Sequence, residues 1–180
     1  MGSEPSYAAL AQSLGRRCAQ QGVAIVFGGG RVGLMGVLAE AALDAGGHVI
    51  GIIPEHLEQL EVGYTEVSEL LVVDSMHTRK RLMAERSDAF CVLPGGFGTL
   101  DEMFEILTWK QLGLHDKPVT ILDQEGFWQP LLQLFAHQHA SGFLRPQHLG
   151  LFDVVPDIDG LFEAIARHPE PRVDLIDERL

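Results

Sequence analysis

Apolar residues along this chain arrive in short blocks of strand length, separated by longer stretches in which they recur every three or four positions. The blocks VAIVF (23–27), HVIGII (48–53), ELLVV (69–73), AFCVL (89–93), VTIL (119–122) and LFDVV (151–155) read as β-strands. The stretches between them read as helices over 5–20, 33–45, 75–87, 99–112, 127–140 and 157–167. Alternation of this kind predicts an α/β fold, a doubly wound and mostly parallel sheet flanked by helices. The expectation is a single domain over 1–167. From His168 the sequence HPEPRVDLIDERL, with two prolines and mixed charge, reads as a C-terminal tail.

Composition narrows the class. With 46% hydrophobic and 21% charged residues the chain has the balance of a globular protein. No apolar run approaches the ~20 residues of a membrane span, and the start MGSEPSYAAL has no basic segment leading into an apolar one, so a cytoplasmic location is expected and a membrane partner is not. The formal net charge of −12 argues against a nucleic-acid binder, whose surface must displace counterions from phosphates. A small anionic ligand would need a local positive pocket, and only MHTRKR (76–81) offers dense positive charge. Cys18 and Cys91 lack CxxC spacing, which supports neither a disulfide framework nor a zinc site, and Cys91 reads as core of its strand. His137 and His139, two apart on a helix, fall on different faces, so no metal is expected there.

Two strand-to-helix turns are rich in glycine, and in a parallel sheet such turns emerge at the carboxyl edge, where ligands of open α/β folds bind. The first, VFGGGRVGLMG (26–36), holds the spacing Gly28-x-Gly30-x-x-Gly33 of a dinucleotide fingerprint, but the acidic residue that should end the next strand is matched only by Glu55, after Pro54. Tight turning plus close helix packing at Gly33 and Gly36 accounts for it equally well. The second, VLPGGFGTLDE (92–102), places Gly95, Gly96 and Gly98 where the amides of a new helix are still unpaired, which suits an anion. Neither turn contains Gly-Lys-Ser/Thr, so a nucleoside-triphosphatase loop is not expected.

Thr99-Leu100-Asp101-Glu102 admits two readings. One is a capping box, with Thr99 at the N-cap and Glu102 reaching back to its amide. The other is a first-turn carboxylate facing a ligand on the glycine loop. Helical spacing also puts Met76, Arg79, Lys80 and Met83 on one face, with His77 off it. On spacing alone that face is as consistent with solvated cations as with a pocket.

PGGFGTLDE (94–102) fits PGGxGTxxE and stands downstream of MHTRK (76–80) and VFGGGRVGLMG (26–36). In that order and separation, with SDAFCVLPGG, EILTWKQLGLHDKPV and GFL (142–144), these segments resemble the LONELY GUY (LOG) family of cytokinin riboside 5′-monophosphate phosphoribohydrolases, often mislabelled as lysine decarboxylases. The resemblance runs from about Tyr7 to Arg145. It implies a hydrolase that splits the N-glycosidic bond of adenosine 5′-monophosphate (AMP) or its N6-substituted relatives into free base and ribose 5-phosphate, without a cofactor. It implies Arg79 and Glu102 as the catalytic pair, and nucleotide contacts at Glu61, Lys80, Gly95, Gly96, Phe97, Gly98, Thr99 and Thr108; Gly28, Gly29 and Gly30 of the first glycine turn are further substrate-binding candidates.

The implied chemistry is coherent: breaking the C1′–N bond builds positive charge on the ribose, which a carboxylate stabilises, while an arginine fork clamps substrate oxygens. Asp101 or a water are the alternatives for protonating the departing base. The resemblance also implies a homodimer, for which the helix around Met103, Phe104 and Trp109 is the expected contact surface. Family members usually begin with a strand ending in a Cys-Gly-Ser-type turn, and here only four residues precede the first predicted helix, so that strand is expected to be lacking. The alternative function is a non-catalytic carrier of a phosphorylated ligand, such as the related molybdenum-cofactor carriers. A lysine decarboxylase would need a pyridoxal-phosphate lysine, which neither glycine turn supplies.

Overall fold

The computed structural model describes residues 2–61 and 63–168, and for residues 59–61 the backbone only. Residues 169–180, and with them nearly all of the expected tail, lie outside the described residues. The apolar blocks form six strands: Ile25–Phe27 (β1), Val49–Pro54 (β2), Glu69–Val73 (β3), Phe90–Val92 (β4), Val119–Leu122 (β5) and Asp153–Val155 (β6). Helices form at Pro5–Gln20 (α1), Leu34–Asp44 (α2), Glu55–Glu61 (α3), Met76–Arg86 (α4), Phe97–Gln111 (α5), Gln129–Ala140 (α6) and Ile158–Arg167 (α7). Among the described residues the first element is α1, and no strand precedes it.

The chain divides into two compact units, Met1–Ser87 and Asp88–Leu180. In the first, β1, β2 and β3 form a parallel sheet in that order, with Ile25 opposite Val49 and Gly51 opposite Leu70. In the second, β4, β5 and β6 do the same, with Phe90 opposite Val119 and Ile121 opposite Val154. Each parallel step needs a crossover, supplied by α2 and α3 in the first unit and by α5 and α6 in the second. Every residue of the two central strands, VIGIIP and VTIL, is buried, which is why these blocks read as continuous apolar runs rather than alternating ones.

The first unit buries Ile50, Ile52 and Val73 against Leu82 and Met83 of α4. On its other side α1 lies close on α2 because Gly15 has no side chain: a Cβ there would stand 3.0 Å from the Ala42 amide nitrogen and nearer still to the Leu38 carbonyl. The second unit packs Val92, Met103, Leu107, Val119, Ile121, Trp128 and Phe135 into one core. A half-buried histidine, His115, ties α5 to the segment entering β5: its Nε2 donates to the Ile106 carbonyl at 2.9 Å and its Nδ1 accepts the Lys117 N–H at 3.2 Å.

Four expectations need correcting. Helix α3 was not predicted, because seven residues give too little periodicity to register. Helix α5 starts at Phe97, two residues earlier than the expected Thr99, because Gly96 serves as N-cap and its carbonyl already accepts the Leu100 N–H at 3.1 Å. Cys91 is exposed rather than core, since β4 is the edge of its sheet and side chains along a strand alternate between faces. Met103 is 3% exposed and belongs to the core, so it offers no contact surface.

Candidate active site

In the first unit the carboxyl ends of β1, β2 and β3 lead into the Gly28–Gly33 loop, into α3 and into Asp74–Ser75 before α4. Ser75 caps α4, its hydroxyl accepting the Thr78 N–H at 3.2 Å. Hydrogen bonds from Thr78 and then Ser75 hold the Asp74 carboxyl below the usual carboxylate range. Arg79 follows in the first turn of α4, and its side chain is 7% exposed, so it is not one of the solvated cations that spacing alone allowed. Its Nη1 lies 3.6 Å from the Met76 sulfur. Its guanidinium rests against the bare face of Gly28, where a Cβ would stand 2.8 Å from Cζ and closer to Nη2. Lys80 is half-buried and His77 exposed.

The first glycine loop is fastened in place. Gly29 and Gly33 both take φ of 76°, a left-handed conformation that glycine adopts without strain. The Gly29 carbonyl accepts the Tyr64 N–H at 2.9 Å, and Gly30 forms an isolated antiparallel bridge with Gly63. Gly36 lies against the Arg31 carbonyl group, too close for a side chain. Turning and close packing therefore account for Gly29, Gly33 and Gly36 without a ligand. Gly28, Gly29 and Gly30 nevertheless stand together at the carboxyl end of β1.

Sequence reasoning missed the residues that brace this loop. The Arg31 guanidinium sits 4.6 Å above the Tyr64 ring and 3.4 Å from Glu66 Oε2. Burial, followed by the charges of Glu40 and Glu66, pushes the Tyr64 hydroxyl above its usual range, and Arg31 opposes them. Residues so far apart in the chain carry no spacing signal.

In the second unit β4 runs through Leu93, Pro94, Gly95 and Gly96 into α5. No side chain caps α5. Gly96, Phe97 and Gly98 are exposed, Phe97 to 92%, so the first-turn amides open to solvent beside the positive end of a fifteen-residue helix. Thr99 folds back over Gly95, where a Cβ would stand 2.8 Å from the Thr99 Cβ. Glu102 is half-buried in the second turn, which rules out the capping box: Thr99 is inside the helix and not at its N-cap. Thr108 is exposed, donates to the Phe104 carbonyl at 2.7 Å, and stands about 14 Å further along the helix than Thr99, away from the glycine loop. Glu61 closes α3, and its side chain lies outside the described residues. A further carboxylate unforeseen in the sequence, Asp123 at the end of β5, is buried but occupied in shaping the next turn, accepting the Trp128 N–H and the Gln129 side-chain amide, both at 2.6 Å.

Residues 35–165 match the family model described as "possible lysine decarboxylase". A cytokinin riboside 5′-monophosphate phosphoribohydrolase from Rhodococcoides fascians is 47% identical over 165 residues, which cover 91% of this chain and 83% of that one. The chain belongs to the LOG family. A second LOG relative, the Arabidopsis thaliana cytokinin riboside 5′-monophosphate phosphoribohydrolase LOG1, is 44% identical over 145 residues, covering 81% of this chain and 68% of that protein. Among solved structures, the molybdenum cofactor carrier protein of Chlamydomonas reinhardtii shares the fold of this LOG chain, with a TM-score of 0.68 over 91% of this chain and 88% of that one, at 24% identity.

Proposed function

We propose that this LOG protein hydrolyses the N-glycosidic bond of AMP or of N6-substituted adenosine 5′-monophosphates, the cytokinin riboside monophosphates, to free base and ribose 5-phosphate. The observation that carries this reading is Arg79, a cationic guanidinium 7% exposed at the carboxyl end of a parallel sheet. Its planar fork suits phosphate and ribose oxygens. The 5′-phosphate is taken by the amides at the N-terminus of α5, where Gly96, Phe97 and Gly98 are exposed, and Lys80 is assigned a nucleotide contact by the family motif. The Glu102 carboxylate stabilises the positive charge that grows on the ribose as the C1′–N bond breaks, and orients the attacking water. No step requires a cofactor. Glu61 and Thr108 are assigned substrate contacts only by the family motif; Thr108, so far along α5, would have to reach a different part of a nucleotide from the one at the glycine loop.

We place this chemistry in the cytoplasm, where nucleoside monophosphates are kept, and in a homodimer, for which the 40% exposed Phe104 on α5 and the 65% exposed Leu112 just after it supply apolar surface. Among the described residues no helix is long and apolar enough to cross a membrane. Chromatography of base release from a panel of nucleosides and their 5′-monophosphates tests the reading. Turnover of AMP with little turnover of adenosine is expected. Equal rates for the two would remove the phosphate anchor, and binding of AMP without base release would make the protein a carrier.

A further inference from the structure

We infer that Gly28 is a positioning residue for Arg79: the missing side chain at position 28 forms the seat against which the guanidinium is held at the carboxyl end of β1. This rests on the catalytic reading of Arg79 and assigns Gly28 a role other than substrate contact. Gly28 does not need to be glycine for its own backbone, because its φ lies outside the left-handed region that Gly29 and Gly33 occupy. What a side chain there would meet first is Arg79: the three atoms nearest to a Cβ at this position are Nη2, Cζ at 2.8 Å and Nε at 3.2 Å of that residue. A groove between α1 and α2, lined by Gln12, Arg16, Glu40 and Asp44, presents no comparable constraint.

The contact is lopsided in a useful way. The atoms that would have to give belong to the end of a flexible side chain and not to backbone, so a methyl group at position 28 is accommodated by moving the guanidinium, with little effect on the fold. The same movement, an ångström or more, is large for a group that must meet substrate oxygens, where misplacement on that scale lowers rates by about 10²-fold. The Met76 sulfur, a weak acceptor, lies 3.6 Å from Nη1.

The test combines Gly28→Ala with Arg79→Ala and reads three quantities on the full chain: thermal melting, adenine release from AMP, and modification of Arg79 by phenylglyoxal followed by peptide mass spectrometry. Gly28→Ala is expected to melt within about two degrees of the parent, to lower kcat/KM by about tenfold or more, and to label at Arg79 several-fold faster as the guanidinium leaves its seat. In the Arg79→Ala background the same methyl is expected to change turnover by less than about threefold, because its effect acts through a side chain already removed. Full multiplication of the two penalties, or unchanged turnover and labelling in Gly28→Ala, overturns the inference. If Gly28→Ala fails to fold, the double variant must melt like Arg79→Ala, since its methyl then has room; a double variant that also fails rejects the seat. Should the parent release no adenine at all, the catalytic reading falls, and labelling alone still decides whether Gly28 seats Arg79.

Discussion

At the scale of single residues, Glu102 and Arg79 were legible only through their motifs. Spacing offered Glu102 a structural post in a capping box, and α5 declines it by starting at Phe97, which leaves the carboxylate in the second turn with no cap to complete. This sharpens the consequence of Glu102→Gln. The variant is expected to keep its fold and its affinity for AMP, and to lose about 10² in turnover, roughly 2.7 kcal/mol of transition-state stabilisation. Single-turnover base release beside equilibrium binding of AMP measures both quantities, and undiminished release would deny the carboxylate its charge-stabilising role. Arg79 was ambiguous for a different reason: helical spacing tells which residues share a face, and only the fold, which brings Gly28 against its guanidinium, tells that Arg79 is the buried member of that face. The Arg31–Tyr64–Glu66 brace was illegible for the same cause, its members meeting beside the Gly30–Gly63 bridge only in the fold.

At the scale of elements, His115 makes the entry to β5 sensitive to pH. Its neutral ring bridges α5 and the Lys117 amide, donating through Nε2 and accepting through Nδ1, and burial pushes its pKa below the ordinary 6.5. A proton on Nδ1 removes the acceptor that Lys117 uses. The unfolded chain therefore binds this proton more readily than the folded one, so the stability His115 contributes is fully present above about pH 6.5 and is lost as pH falls through the lower folded value. Melting curves from pH 7.5 to 5 are expected to show a steeper acid decline in the parent than in His115→Gln; parallel declines would locate the sensitivity elsewhere. The strands themselves were the most legible elements, because the central ones carry unbroken apolar runs that only a doubly covered strand requires. Boundaries were less so. Helix α3 is too short to show a period, and the start of α5 was hidden by glycines, which take a cap position without advertising it through a side chain.

At the scale of the whole molecule, the homodimer is the proposal most open to a direct measurement. Sedimentation equilibrium is expected to give twice the 19.7 kDa of one chain, and Leu112→Asp, at a residue 65% exposed that caps the C-terminus of α5, is expected to shift the mass towards one. A parent that sediments as a single chain at micromolar concentration rejects the dimer. The acidic composition, net −12, turned attention away from nucleic acid and towards one dense basic segment, but composition could say nothing about which of its residues is buried.

Parallel strands also sort each unit into two rims. The residues assigned to chemistry hang from the carboxyl ends, while the turns at Gly22 and Gly46, where a Cβ would meet nothing within 4 Å, lead into the amino ends of β1 and β2. A six-residue strand such as β2 separates the rims of the first unit by about 20 Å. For anyone wishing to tether this protein to a surface, append a fluorophore or splice in a peptide, these two turns are the natural attachment points, facing away from the working edge of their sheet.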